Sequence, residues 1–182
     1  AKLANNQSIT ATPVGHWKLD DGTGTTATDS SGNGNHGRLT NGPTWTGDIP
    51  QWFRPTIESS YAASFDGVDD YVEIANESNF DFDQSTSKFT VTSWIYREAT
   101  ATLSQCALIT KSNSASSGGG WYVSYGQAAS GAAGAHGVVY GGFGKYTGRD
   151  FTPVNGSWTS VAMIVDMTLT GTDRVSIAVN GQ

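Results

Sequence analysis

The sequence predicts an all-β domain, and three observations carry that expectation. Glycine occurs 23 times beside abundant serine and threonine and few leucine, lysine or glutamate residues, a composition suited to short strands joined by tight turns. Apolar and polar residues alternate at period two in several windows. No window sustains apolar residues at i, i+3, i+4 and i+7, the spacing that an amphipathic helix needs.

Taken in order, residues 1–13 are polar and unpatterned, which predicts an arm or linker, and residues 14–182 are expected to form the domain. In Gly15 to Asp20, Trp17 and Leu19 share one face while His16, Lys18 and Asp20 share the other, the alternation of a half-buried strand. Asp20 to Gly24 turns the chain, Thr25 to Thr28 lead into a loop at Asp29 to Gly37, and His36 to Leu39 leave it as another short strand. Pro43, Pro50 and Pro55 among Trp45, Trp52 and Phe53 predict an irregular excursion over residues 41–60. Tyr61 to Phe65 and Tyr71 to Ile74 read as two strands joined by a hairpin-type turn at Asp66-Gly67. Phe89 to Tyr96 is the clearest strand, with Phe89, Val91, Ser93 and Ile95 opposing Thr90, Thr92, Trp94 and Tyr96. Shorter strands are expected at 107–110, 121–125 and 137–140, separated by Gly/Ala/Ser-rich loops, and long ones at 159–166 and 174–179. Asn180-Gly181 reads as a hairpin turn, after which a further strand is expected.

Composition narrows the partners. Charged residues make up 14% of the 182 positions and the net charge is −6, so neither a nucleic-acid backbone nor an anionic membrane surface is an expected partner. Neutral or cation-linked ligands fit this balance better. No apolar run approaches the roughly 18 residues of a membrane span, and the first residues carry no hydrophobic signal core, so the chain is expected to be soluble, with any targeting segment lying outside it. Cys106 stands alone, which rules out an internal disulfide and a zinc-thiolate cluster; its neighbours Ala107, Leu108 and Ile109 predict a buried structural thiol.

The stretch richest in possible chemistry is Asp29 to Gly37. Asp29, Ser31 and Asn33 occupy positions 1, 3 and 5 of a calcium-loop spacing, with Gly34 at position 6 and the Asn35 carbonyl at position 7. Position 12 is Thr40 where a bidentate glutamate would close the loop, so an ion here needs ligands from elsewhere, either from the turn containing Asp20 or from that containing Asp66. The competing reading is a Gly/Asn-rich loop that tolerates positive φ and holds no ion. His36 reads as a polar loop residue, because hard cations prefer oxygen. Asp66, Asp69 and Asp70 place three carboxylates within five residues, either as cation ligands or as an Asx turn with solvated charges.

Two further stretches are candidates for ligand contact. Trp52 and Phe53 form either a stacking platform or a cover over an open edge of the core. In residues 141–150, Phe143 or Tyr146 could stack on a ligand while Lys145 or Arg149 donates hydrogen bonds; the alternative is a long hairpin tip.

Six segments together carry a resemblance: His16 to Asp21, Asp29 to Gly37, Ala63 to Val72, Phe89 to Ile95, Gly156 to Ala162 and Val179 to Gly181. In this order and spacing they resemble the laminin-G-like jelly-roll family of concanavalin A-like sandwich modules, over about Val14 to Gly181. The resemblance implies an antiparallel two-sheet β-sandwich, calcium near the Asp29 loop, and roles in glycan binding, adhesion or the targeting of enzymes, in secreted or cell-surface settings. Glycan or a surface protein is the implied partner. Members continue beyond the Asn-Gly turn with strands that return beside the first one, so C-terminal strands are expected to be missing from this chain and supplied by a continuation or a second polypeptide. The aromatic insertion at 47–58 also departs from the family pattern.

The same broad fold hosts glycoside hydrolases and polysaccharide lyases, so catalysis has to be sought in residues. A retaining hydrolase needs two carboxylates about 5 Å apart, which a strand supplies two or four positions apart, and no Glu-x-Asp-x-Glu run occurs. No serine stands in a nucleophile-elbow context. No catalytic residue is assigned. The sequence therefore points to a non-catalytic, calcium-stabilised carbohydrate-binding or adhesion module, with a structural protein-interaction module as the alternative.

Overall fold

Alternation of side chains dominates what forms. The computed structural model describes residues 12–49, 60–83, 85–98, 106–112, 120–127, 133–141, 144–147 and 155–180. Among them every strand pairing is antiparallel, and helix is confined to the single 3-10 turns Glu77–Phe80 and Gly171–Arg174. The fold class is all-β, an antiparallel β-sandwich, as the composition and period-two pattern predict. The chain divides into two compact units, Ala1–Phe80 and Asp81–Gln182.

In the first unit β1 (Thr26–Ala27), β2 (Gly37–Thr40) and β5 (Tyr71–Ile74) form one sheet in the order β1-β2-β5. A separate two-stranded ribbon pairs β3 (Thr44–Thr46) with β4 (Ala62–Ser64). Two expectations are corrected here. The segment 16–20 is no strand: it makes one isolated bridge, Trp17 with Asp29, and Leu19 has φ 57°, a left-handed conformation that ends any extended run. Nor does the Asp66-Gly67 turn close a hairpin, because β4 pairs with β3 and β5 with β2, so the turn carries the chain from one sheet to another. The excursion over 41–60 also contains β3, whose Trp45 indole donates to the Gly24 carbonyl at 2.9 Å. Its residues 50–59, with Trp52 and Phe53, lie outside the described residues, as do residues 1–11 of the expected arm.

Gly37 opens β2 at a close approach. A Cβ there would lie 2.5 Å from Val72 Cγ1, 3.0 Å from Ile74 Cδ1 and 3.2 Å from Ala27 Cβ. Gly37→Ala is therefore expected to cost about 1–3 kcal/mol by overpacking, read as a lower midpoint in urea unfolding. An unchanged midpoint would mean that β2 and β5 are free to separate.

The second unit contains a meander and a three-stranded sheet. β7 (Cys106–Ser112), β8 (Gly120–Gln127), β9 (Ala133–Gly141) and β10 (Gly144–Thr147) pair in sequence, with a bulge in β7 between Ala107 and Ile109. These strands extend into the stretches read from sequence as Gly/Ala/Ser loops. β6 (Lys88–Tyr96), β11 (Trp158–Asp166) and β12 (Val175–Val179) form the other sheet, with β11 central. Its inner face presents Val161, Met163, Val165, Val175 and Val179, all buried. Trp121 and Val123 of β8 are also buried, and Phe89 of β6 meets Trp121 with ring centroids 5.6 Å apart. Phe82 stacks on Phe89 at 4.3 Å and extends this aromatic contact between the two sheets.

The entry to β6 is shaped by Asp83. One carboxylate oxygen accepts hydrogen bonds from the backbone and hydroxyl of Ser85, at 2.8 and 2.6 Å, and from those of Thr86, at 2.9 and 3.0 Å. The Ser85 hydroxyl and the other three donors hold the carboxyl down at about 2. At the same end of the sheet Lys88 pairs with Asp166 at 2.8 Å across β6 and β11.

Candidate functional site

The loop from Asp29 to Gly37 is built around one carboxylate. Asp29 is 6% exposed, and its Oδ1 accepts from the backbone N–H of His16 and of Ser31, both at 2.9 Å. Its Oδ2 accepts from the Ser31 hydroxyl at 2.8 Å and the Asn35 N–H at 2.9 Å. Burial pushes the Asp29 carboxyl up, but the donors from His16, Ser31 and Asn35 outweigh it and hold the group well below the usual carboxylate range. The backbone N–H of Asp29 in turn donates to His36 Nδ1 at 3.2 Å, which gives that histidine a role inside the loop.

The loop's amides face the segment that precedes it. Asn33 Nδ2 donates to the carbonyls of Pro13 and Val14, at 3.1 and 3.0 Å, and Asn35 Nδ2 donates to Val14 at 2.8 Å. Ser30 N–H and its hydroxyl both donate to the His16 carbonyl, at 2.8 and 2.9 Å. The Trp17 indole N–H donates to the Asn35 carbonyl at 2.7 Å, and Asn79 Nδ2 donates to Asn35 Oδ1 at 2.7 Å. Asn35 is fully buried, and these bonds satisfy its backbone N–H and carbonyl together with both side-chain polar atoms. Trp17 also packs against Phe80, with centroids 5.9 Å apart.

A hard cation needs oxygens with free lone pairs. Both Asp29 oxygens already accept two bonds each, and the Asn35 carbonyl expected at position 7 accepts from Trp17. Converging N–H groups also make the surroundings of Asp29 positive, the opposite of a cation site. The donor set of this loop does not fit calcium. Sequence reasoning singled out Asp29, Ser31, Asn33 and Asn35, and the structure does bring them together. What it missed were the Val14 carbonyl, the Trp17 indole and Asn79 of the 3-10 turn, none of which carries a local signal for this contact.

The other expected ligands lie elsewhere. Asp20 is half-buried beside Asp21, whose carboxylate accepts from both the backbone N–H and the hydroxyl of Thr28. Asp66 belongs to its own turn: its Oδ1 accepts from Val68 N–H at 2.8 Å, and its N–H donates to Asp70 Oδ2 at 2.9 Å. One ligand atom from each of Asp66, Asp69 and Asp70 can be chosen within 4.8 Å of the others, the one acidic group of that kind among the described residues. These are the carboxylates that could share a metal ion. Trp52, Phe143 and Arg149 lie outside the described residues, and of Tyr146 the structure gives the backbone, which lies in β10 and pairs with Val139 of β9.

A second surface lies on the outer face of the β12-β11-β6 sheet. Trp94 is 42% and Tyr96 39% exposed, and Trp158 sits across the strand from Tyr96 with ring centroids 5.7 Å apart at 51°. Ser160 faces Trp94 across the pair, Thr92 faces Ala162, and Asn180 Oδ1 accepts from Ser160 N–H at 3.0 Å. Between this aromatic end and the Lys88–Asp166 pair, the face carries no ionisable side chain on β6 or β11. Sequence alternation had placed Trp94 and Tyr96 on one face of the strand without marking them for contact.

The laminin-G-like family model described as the concanavalin A-like lectin/glucanases superfamily matches residues 66–182. That span takes in the Asp66 turn and all of β6 to β12, and it begins after the Asp29 loop. No curated protein and no solved structure matches the chain.

Proposed function

The chain belongs to the concanavalin A-like lectin/glucanase superfamily, and from that membership we propose that it is a non-catalytic carbohydrate-binding or adhesion module of a secreted or surface protein. The observation that carries this reading is the pair of exposed rings Trp94 and Tyr96, with half-buried Trp158 packed beside Tyr96, on a stretch of sheet face that is uncharged as far as the Lys88–Asp166 pair. Flat aromatic rings offer the apolar faces of sugar rings a stacking surface, and Ser160, Thr92 and Asn180 beside them supply hydrogen-bonding groups. An uncharged face on a chain of net charge −6 suits a neutral glycan better than a uronic or sulfated one. Calcium enters this proposal as a stabiliser, and among the described residues the turn of Asp66, Asp69 and Asp70 is the donor set open to it.

The test is a glycan array probed in calcium and in EDTA, followed by tryptophan-fluorescence titration with the best ligand. Trp94→Ala is expected to weaken binding about tenfold or more while leaving the fold intact. An array on which the unaltered protein retains no sugar under either condition sinks the carbohydrate reading. If the same variant then abolishes capture of a surface protein, the adhesive alternative takes its place.

A further inference from the structure

We infer that residues 29–37 form a cation-independent clasp that holds the segment 13–17, with Asp29 acting as an internal anion for hydrogen-bond donors instead of as a metal ligand. The inference stands apart from the sugar-binding reading. It rests on how the Asp29 carboxylate and the amides of Asn33 and Asn35 are engaged. Asp29 accepts four hydrogen bonds, two on each oxygen, three of them from backbone N–H groups that cannot rotate away to admit an ion. The amides of Asn33 and Asn35 turn their N–H groups toward the Pro13 and Val14 carbonyls. Asn35 Oδ1 is occupied by Asn79, and its backbone carbonyl by Trp17.

The result is a ring of bonds that crosses from loop to segment and back. His16 N–H reaches Asp29, the His16 carbonyl receives Ser30, Val14 receives Asn33 and Asn35, and the Trp17 indole reaches Asn35. A calcium ion would have to displace the Ser31 hydroxyl and at least one backbone donor from Asp29, leaving a buried N–H without a partner. The spacing that resembles half a calcium loop thus serves a different chemistry: small polar residues and glycines are equally what a carboxylate needs to gather backbone donors around itself.

The test uses the full chain carrying Asp66→Asn, Asp69→Asn and Asp70→Asn together, which removes the open acidic cluster, and compares it with the same chain also carrying Asn33→Ala. A ligand that binds only the native state raises its melting temperature. The clasp predicts that the triple variant melts at the same temperature in millimolar calcium as in EDTA. It also predicts that Asn33→Ala lowers that temperature by the same amount in both. Terbium emission sensitised by Trp17 provides a direct second readout, and none is expected from the triple variant. The inference is overturned if calcium raises the melting temperature of the triple variant and Asn33→Ala reduces the rise, or if sensitised terbium emission appears and Asn33→Ala weakens it. Asn33 is exposed and the substitution removes one side chain from the loop's rim, so the fold is expected to survive it.

Discussion

Asp29→Asn is expected to destabilise the protein by about 3–5 kcal/mol, because it removes the charge that four donors share. Asparagine offers one acceptor oxygen. Placed at the Oδ1 position, it keeps His16 and Ser31 but turns an NH2 group toward the buried Asn35 N–H. Flipped, it satisfies Asn35 and abandons the other two. Either way a buried or part-buried N–H faces a donor, and the cost is that of an unmet hydrogen bond on top of the lost charge assistance. Chemical denaturation measures the difference directly, and a change below about 1 kcal/mol would mean that the loop is not held by this carboxylate.

The same substitution has a pH signature whose sign follows from the shift. The folded-state pKa of Asp29 lies below its ordinary value of 3.8, because the donors favour the charged form against the pull of burial. A depressed carboxyl contributes stability that is present above the unfolded value and lost as pH falls toward the folded one. The gap between the unaltered protein and Asp29→Asn should therefore be constant from neutral pH down to about 5 and narrow below about 4. A gap that stays constant through pH 3 would assign the effect to shape and not to charge.

The parts that were legible in the sequence are those decided by neighbours along the chain. β6 shows its alternation as clearly in sequence as in its burial pattern, because side-chain direction in a strand is a local property, whereas β11 was legible as a strand but its apolar run Val161 to Val165 hid which face is buried. Pairing is not local. Asp66-Gly67 has the residues of a hairpin, yet β4 and β5 part at that turn, since their partners β3 and β2 come from far earlier in the chain. Trp17 and Leu19 alternate as a strand would, but Leu19 adopts φ 57° and the segment 13–17 is held by side-chain amides in place of a ladder. The Asp29 loop illustrates the deeper limit. Backbone N–H groups occur at every residue but proline, so sequence shows the acceptor and conceals which donors the fold will aim at it. The aromatic row was hidden for a related reason: Tyr96 and Trp158 lie far apart in the chain and become neighbours only through the register of β6 with β11.

Register also supplies the second large effect. Met163 lies on the central strand β11, directly opposite Val91 of β6 and Ile177 of β12, and it is fully buried. Met163→Ala is expected to cost about 2–5 kcal/mol, the lost transfer energy plus a cavity that two hydrogen-bonded neighbours cannot close without leaving register. Met163→Leu keeps most of the volume and should cost less than about 1.5 kcal/mol. Ile164, the next residue, points to the opposite face and is 43% exposed, so Ile164→Ala should change stability by only about 0.5 kcal/mol. Equilibrium unfolding of the three variants discriminates sharply, because a one-residue slip of β11 exchanges the two faces and would make Ile164→Ala the costly substitution. Such a slip would also turn Trp158 and Ser160 inward and dismantle the aromatic row. If instead Met163→Ala is the costly change, the same register that buries Met163 holds Trp158 beside Tyr96 on the outer face.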